Sequence, residues 1–232
     1  MTVYVKQYGY KRSGTCYTTA VLCKNFYAYA LVHKLGGKHK PPIDYLSYST
    51  HWPPLRSAIR NNEIRVAVAI KNPYAAMYSF IRAHMRWRLQ FRRHFLADPV
   101  GIVQKHCETW NTHNQAWLKA AASRLMLFRH EDLLTDFTGV MQKAQETLEL
   151  EPRFDQFVNI DQQMTPNDTQ SKQRFMRSFY RRKVYMARLG KRLRRAITRT
   201  IDWEFAGKLG YYPLKGRTAH NIVRPCTYFE GG

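Results

Sequence analysis

The chain has 232 residues, 44% apolar and 14% aromatic, enough to bury a substantial core and too apolar for a collagen-like, low-complexity or disordered polypeptide. Its 38 Lys and Arg face 16 Asp and Glu, a net charge of +22 that points to an anionic partner: nucleic acid, a phosphorylated or sulfated ligand, or a membrane face. Cys16, Cys23, Cys107 and Cys226 form no CxxC pair and no zinc-ligand spacing, so neither a disulfide framework nor a structural metal is signalled.

Val3 to Tyr10, rich in Val and Tyr, reads as a short strand. It runs into the polar, turn-like cluster Lys11-Arg12-Ser13-Gly14-Thr15. A helix over Cys16 to Leu35 follows, lined by Ala20, Phe26, Ala30 and Leu31 and ended by Gly36 and Gly37. Asp44 to Tyr48 reads as a second strand. Pro53-Pro54 opens the next helix, which puts His51 in a strand-to-helix loop. Ile64 to Ile70, IRVAVAI, is the β-branched run expected of a strand buried on both faces of a parallel sheet. Lys71-Asn72-Pro73 breaks it before helices over Tyr74 to about Arg93 and Val100 to Ala122, a strand over Arg124 to Phe128, and a helix over Leu133 to Leu150.

This alternation predicts an α/β fold with a central parallel sheet covered by helices, in one domain over residues 1–232. Ser171 to Ile201 holds twelve Lys or Arg and no acid, with Phe175, Phe179, Met186, Leu189, Leu193 and Ile197 at helical spacing, which reads as a basic amphipathic helix or pair of helices. No apolar stretch approaches the roughly 20 residues that span a bilayer, and the first residues lack the apolar core of a signal peptide. The expectation is a soluble, cytoplasmic protein.

Three short elements carry chemistry. At Lys11 to Tyr17, glycine and small hydroxyl residues lie between a strand and a helix, so backbone N–H groups and the positive helix end can converge on an anion; an ordinary basic turn fits as well. The loop lacks the full GxxxxGK[ST] pattern, with its lysine and its magnesium-binding hydroxyl. His51, at the carboxyl end of the next strand, faces the same crevice and could accept a proton, although a lone histidine beside Trp52 is more often structural. Lys71 leaves the buried strand at its carboxyl end, with Ser79 two helical turns beyond, a cation and a hydroxyl able to bracket a phosphate or simply to meet solvent.

Taken in order, these elements resemble the sulfotransferases that use 3′-phosphoadenosine-5′-phosphosulfate (PAPS). Tyr10-Lys11-Arg12-Ser13-Gly14-Thr15-Cys16-Tyr17 is similar to their 5′-phosphosulfate loop, and Ser49-Thr50-His51-Trp52-Pro53 to their THLP segment. Ile70-Lys71-Asn72-Pro73 with Ser79 is similar to their 3′-phosphate motif, Arg129-His130-Glu131-Asp132-Leu133 to their RYEDL junction, and Leu209-Gly210-Tyr211 to their C-terminal LGY. The resemblance covers about the whole chain. It implies a three-layer, P-loop-NTPase-like α/β fold with a helical, basic C-terminal part. It also implies metal-free transfer of a sulfuryl group to a hydroxyl or amine acceptor.

By this resemblance Lys11 and Arg12 stabilise the departing phosphate, while Ser13, Gly14, Thr15 and Cys16 donate to it. Tyr17 stands where an aromatic meets adenine, Lys71 and Ser79 hold the 3′-phosphate, and His51 takes the acceptor proton. The chain departs from the family at Lys71, where Arg is usual and two-pronged binding is lost, at Cys16, which replaces a threonine, and at His130, which replaces a tyrosine. Arg181-Arg182-Lys183 and Lys215-Gly216-Arg217 are both candidates for the C-terminal 3′-phosphate contact. The positive surplus suits an anionic glycan or other anionic acceptor. It also keeps open a nucleic-acid-binding protein or an inactive relative of the enzymes.

Overall fold

The structure is a computed structural model that describes residues 3–31, 34–35, 37–39, 53–61, 63–120, 125–160 and 177–214, and not the side chain of residue 87. Val3–Gly9 forms strand β1, which is followed by helix α1 (Thr15–Asn25), strand β2 (Ala28–Ala30), helix α2 (Pro53–Arg60) and strand β3 (Ile64–Ile70). Every residue of β3 is buried, as its unbroken apolar run requires. Helices α3 (Pro73–Trp87), α4 (Leu89–Ala97) and α5 (Pro99–Lys119) lead to strand β4 (Leu125–Arg129), and α6 (His130–Thr135) and α7 (Phe137–Thr147) come next. The basic C-terminal part forms α8 (Arg177–Arg181), α9 (Val184–Arg188), α10 (Lys191–Thr200) and α11 (Trp203–Lys208).

The four strands are parallel in the order β2-β1-β3-β4, with Gly9 opposite Ala69 and Ile70 opposite Arg129. Period-2 alternation sorts their side chains between two faces. Val5, Ala67, Met126 and Phe128 pack on Val21 and Leu22 of α1 and on Met141 and Ala144 of α7. On the other face, Tyr4 and Ile64 pack on Leu55, Ala58 and Ile59 of α2. The sheet is therefore sandwiched between helices, as expected. Among the described strands β1 is followed by β2 on one side and has β3 on its other side, so the connections diverge between β1 and β3. In such sheets a ligand crevice lies at that point, outside the carboxyl ends of the strands.

The chain forms two compact units, each made of two stretches: Met1–Lys71 with Ala116–Ser178, and Asn72–Gln115 with Phe179–Gly232. The first holds the four described strands. The second is helical, with Tyr74 stacked on Trp203 at 5.8 Å and Trp110 edge-on to Phe205 and Tyr211. Leu209-Gly210-Tyr211 ends α11: Gly210 takes φ 76, and the Tyr211 N–H returns to Ala206 O at 2.9 Å. No helix among the described residues is long and apolar enough to cross a membrane.

Four expected elements differ from the structure. The helix expected to run to Leu35 ends at Asn25, because Phe26 to Ala30 alternates buried and exposed residues and pairs with β1 instead. Asn25 fixes that end by donating to Val21 O and Val158 O and accepting from Val158 N. The helix expected over 74–93 breaks at Arg88, which turns α4 so that Phe91 meets Phe80 at 5.5 Å. The helix expected over 133–150 is interrupted at Asp136, whose carboxylate caps α7 by accepting from Gly139 N. Within the basic segment, Lys183 at φ 52 and Gly190 separate three short helices. The strand expected at 44–48 lies outside the described residues.

One buried charge on β1 carries a pH prediction. Lys6 is fully buried, donates from Nζ to Leu31 O at 3.0 Å, and has its pKa lowered to about 8 by burial, with Lys38 adding repulsion. Below pH 8 folding must bury a cation. Between pH 8 and about 10.5 the native chain has lost a proton that the unfolded chain keeps, so stability rises with pH there. A shift of this size corresponds to about 3 kcal/mol, and losing the bond to Leu31 O offsets about 1 kcal/mol. Lys6→Met is expected to raise unfolding free energy at pH 7 by about 2 kcal/mol, and the gain should vanish above pH 10.5 in urea titrations.

Candidate active site

The turn after β1 closes on one carbonyl. Tyr10 O accepts from the N–H and the hydroxyl of Ser13, at 3.1 and 2.7 Å, which leaves Lys11 and Arg12 at the exposed tip. Arg12, third in the turn, has φ 68, a left-handed conformation that glycine or asparagine ordinarily supplies. Two glycines make the close approaches. A Cβ on Gly9 would lie 2.5 Å from Ala69 O, and one on Gly14, at φ 97, would lie 2.7 Å from His130 Nδ1.

Gly14 is the N-cap of α1 and has no side chain to satisfy the first-turn N–H groups, as at Gly190 of α10, whereas Asn72, Asp136 and Asp202 each accept a backbone N–H at α3, α7 and α11. The first turn of α1 also holds no acid. Uncapped N–H groups, the positive end of the helix dipole and the exposed Lys11 and Arg12 together suit an anion of high charge density.

The neighbouring strand ends add to this cradle. Lys38 O accepts from Gly9 N at 2.9 Å, and Lys38 Nζ donates to Cys16 Sγ at 3.3 Å. The His39 ring bonds Gly9 O through Nδ1 at 2.7 Å, so Nδ1 carries the proton. Burial lowers the pKa of His39, against the opposing bond to Gly9 O, and the charges of Lys38, Lys11 and Arg12 lower it further. Lys71 and His130 each follow directly on the paired Ile70 and Arg129, at the carboxyl edge shared with Gly9. Lys71 is only 3% exposed. His130 is buried, and burial with the Lys71 charge holds its pKa well below the usual value. A neutral ring thus forms the floor under Gly14. Arg129 secures this junction with two 2.6 Å bonds to the Asp132 carboxylate.

The structure gathers Lys11 to Tyr17 and Lys71 at one end of the sheet. Within that set the Ser13 donors are spent on the turn, and Cys16 receives Lys38. The Tyr17 ring is buried in the core beside His130, with its hydroxyl donating to Asn159 Oδ1 at 2.7 Å. Ser79 belongs to the helical unit, where its hydroxyl shares a 2.9 Å bond with that of Tyr180. His51 lies outside the described residues, as do 215–217. Lys38 and His39 were not singled out from sequence. They reach the loop through pairing across some thirty positions, and only their clustered basic character hinted at it.

A family model described as a sulfotransferase domain matches residues 8–205, a stretch that includes the loop, Lys71 and the β4–α6 junction. No curated protein matches the chain.

Proposed function

Because the chain belongs to the sulfotransferase family, and so to enzymes that transfer a sulfuryl group, we propose that its donor is PAPS and its acceptor a hydroxyl or amine. One observation carries the choice of donor: an uncapped, glycine-lined helix start, flanked by Arg12 and the buried Lys71, at the point where the sheet's connections diverge. A doubly phosphorylated nucleotide needs two such cationic positions. The 5′-phosphosulfate goes to the α1 start, and the 3′-phosphate to Lys71, with Ser79 assigned to it by resemblance alone.

In this reading the acceptor oxygen or nitrogen attacks sulfur in line with the 5′-phosphate. A bond to sulfur forms as the bridging S–O bond breaks, and Arg12 and Lys11 stabilise the charge that grows on the bridging oxygen. His51 takes the acceptor proton, by resemblance. The exposed Lys191, Arg192, Arg195 and Arg199 share one face of α10, opposite the buried Ile197, and they support an anionic acceptor such as an acidic glycan.

Incubation with labelled PAPS and a panel of glycans, phenols, steroids and peptides tests the proposal. Absence of labelled product from every class, together with nucleic-acid affinity that falls steeply with salt, would favour the nucleic-acid reading. Calorimetry separates the roles. Lys71→Ala should weaken binding of 3′-phosphoadenosine-5′-phosphate about tenfold or more, by loss of a charged partner, whereas His51→Ala should leave that binding intact and remove turnover.

A further inference from the structure

The outward face of α4 has a composition that sulfuryl transfer does not explain. Leu89 and Leu96 are 80% and 66% exposed, and the exposed Arg92 and Arg93 sit between them at the third and fourth positions. At ~100° per residue these four side chains fall within about a quarter of the helix circumference. Phe91 and Phe95 occupy the opposite side, where they stack at 5.7 Å and Phe91 meets His84 at 5.1 Å, so the leucines are surplus to the core. Arg82, Arg86 and Arg88 are exposed nearby, and no Asp or Glu occurs from Lys71 to Ala97. A cleft of about 440 Å³ beside them is lined by His84, Arg88, Leu89, Gln90, Phe91 and His94, without a carboxylate.

A single exposed leucine is ordinary. Two leucines bracketing two arginines on one face are matched to a partner that is anionic at its surface and apolar just beneath. We propose that α4 docks this protein on anionic phospholipid membranes, lying in the interface with its arginines at the headgroup phosphates and Leu89 and Leu96 in the acyl boundary. Nucleic acid or a sulfated glycan would engage the arginines equally well but offers the leucines no apolar phase. The inference stands apart from the donor and acceptor assignments, and its test needs neither.

The test is sedimentation of the full chain with phosphatidylcholine vesicles, with and without phosphatidylserine, beside retention on heparin. The protein should bind only the vesicles that contain phosphatidylserine. Arg92→Gln with Arg93→Gln should weaken vesicle partition and heparin retention together, by roughly fivefold per arginine on vesicles. Leu89→Ser with Leu96→Ser should lower vesicle partition about tenfold or more and leave heparin retention unchanged. Both leucines are exposed, and each single Leu→Ser variant gives the same comparison at smaller amplitude. Vesicle binding by the leucine variants equal to the parent's, or parent binding indifferent to phosphatidylserine, overturns the proposal.

Discussion

Arg12→Gly is expected to slow transfer from PAPS by ~10²- to 10³-fold, the usual loss when one preorganised donor to a developing charge is removed, without harming the fold. The substitution separates two properties of the residue. Its side chain is an exposed guanidinium at the loop tip, while its backbone holds φ 68. Left-handed backbone costs a residue with a Cβ about 1–2 kcal/mol. Glycine is free of that strain, and its greater freedom in the unfolded chain gives back about 0.4–1 kcal/mol. Stability in urea should therefore match or slightly exceed that of the parent while turnover collapses. Arg12→Lys keeps a charge and should recover part of the rate. Parental turnover in Arg12→Gly would remove Arg12 from the mechanism and with it the main support for the donor assignment.

The second large effect belongs to Gly14→Val. A branched side chain there meets two obstacles at once, a φ of 97 and the His130 ring 2.7 Å from the position of its Cβ. The ring is buried, edge-on to Tyr17 at 6.0 Å, and mounted on the Arg129–Asp132 pair, so it has little room to yield. Left-handed strain and overpacking together predict a loss of about 2–5 kcal/mol. Movement at the α1 start should also cut affinity for 3′-phosphoadenosine-5′-phosphate at least tenfold. Gly14→Ala with His130→Ala removes the collision and leaves the backbone strain, so it should recover part of the stability. Unchanged nucleotide affinity in Gly14→Val would mean that the anion binds elsewhere.

The elements best read from sequence are those whose local signals agree. Ile64 to Ile70 could be little else than a buried strand, and strand, glycine-bearing basic turn and helix start were all visible between Val3 and Tyr17. The helix misread as running to Leu35 shows the opposite. Phe26-Tyr27-Ala28-Tyr29-Ala30 alternates by twos, but its alanines and aromatics also satisfy a helical stripe, and only pairing with β1 decides between them. The break at Asp136 could have been found, since an aspartate immediately before the apolar Phe137 is a helix-start signal. The break at Arg88 could not, because no glycine or proline marks it and its cause is the packing of Phe91 on Phe80 and His84. In the site, Lys11, Arg12 and Lys71 were legible because strand ends announce the edge where they gather. The contact of His39 with Gly9, and that of His130 with Gly14, depends on which strands become neighbours, which no local pattern encodes.

A helix that begins on glycine lacks the self-made stopper that closes α3, α7 and α11, and α1 is built this way. Whatever anion completes that first turn lends it the missing bonds, so occupancy and folding are thermodynamically linked, by about 2.7 kcal/mol when the ligand is at a hundred times its dissociation constant. Without that ligand the chain is in its softer form, the one that opens most readily to proteases.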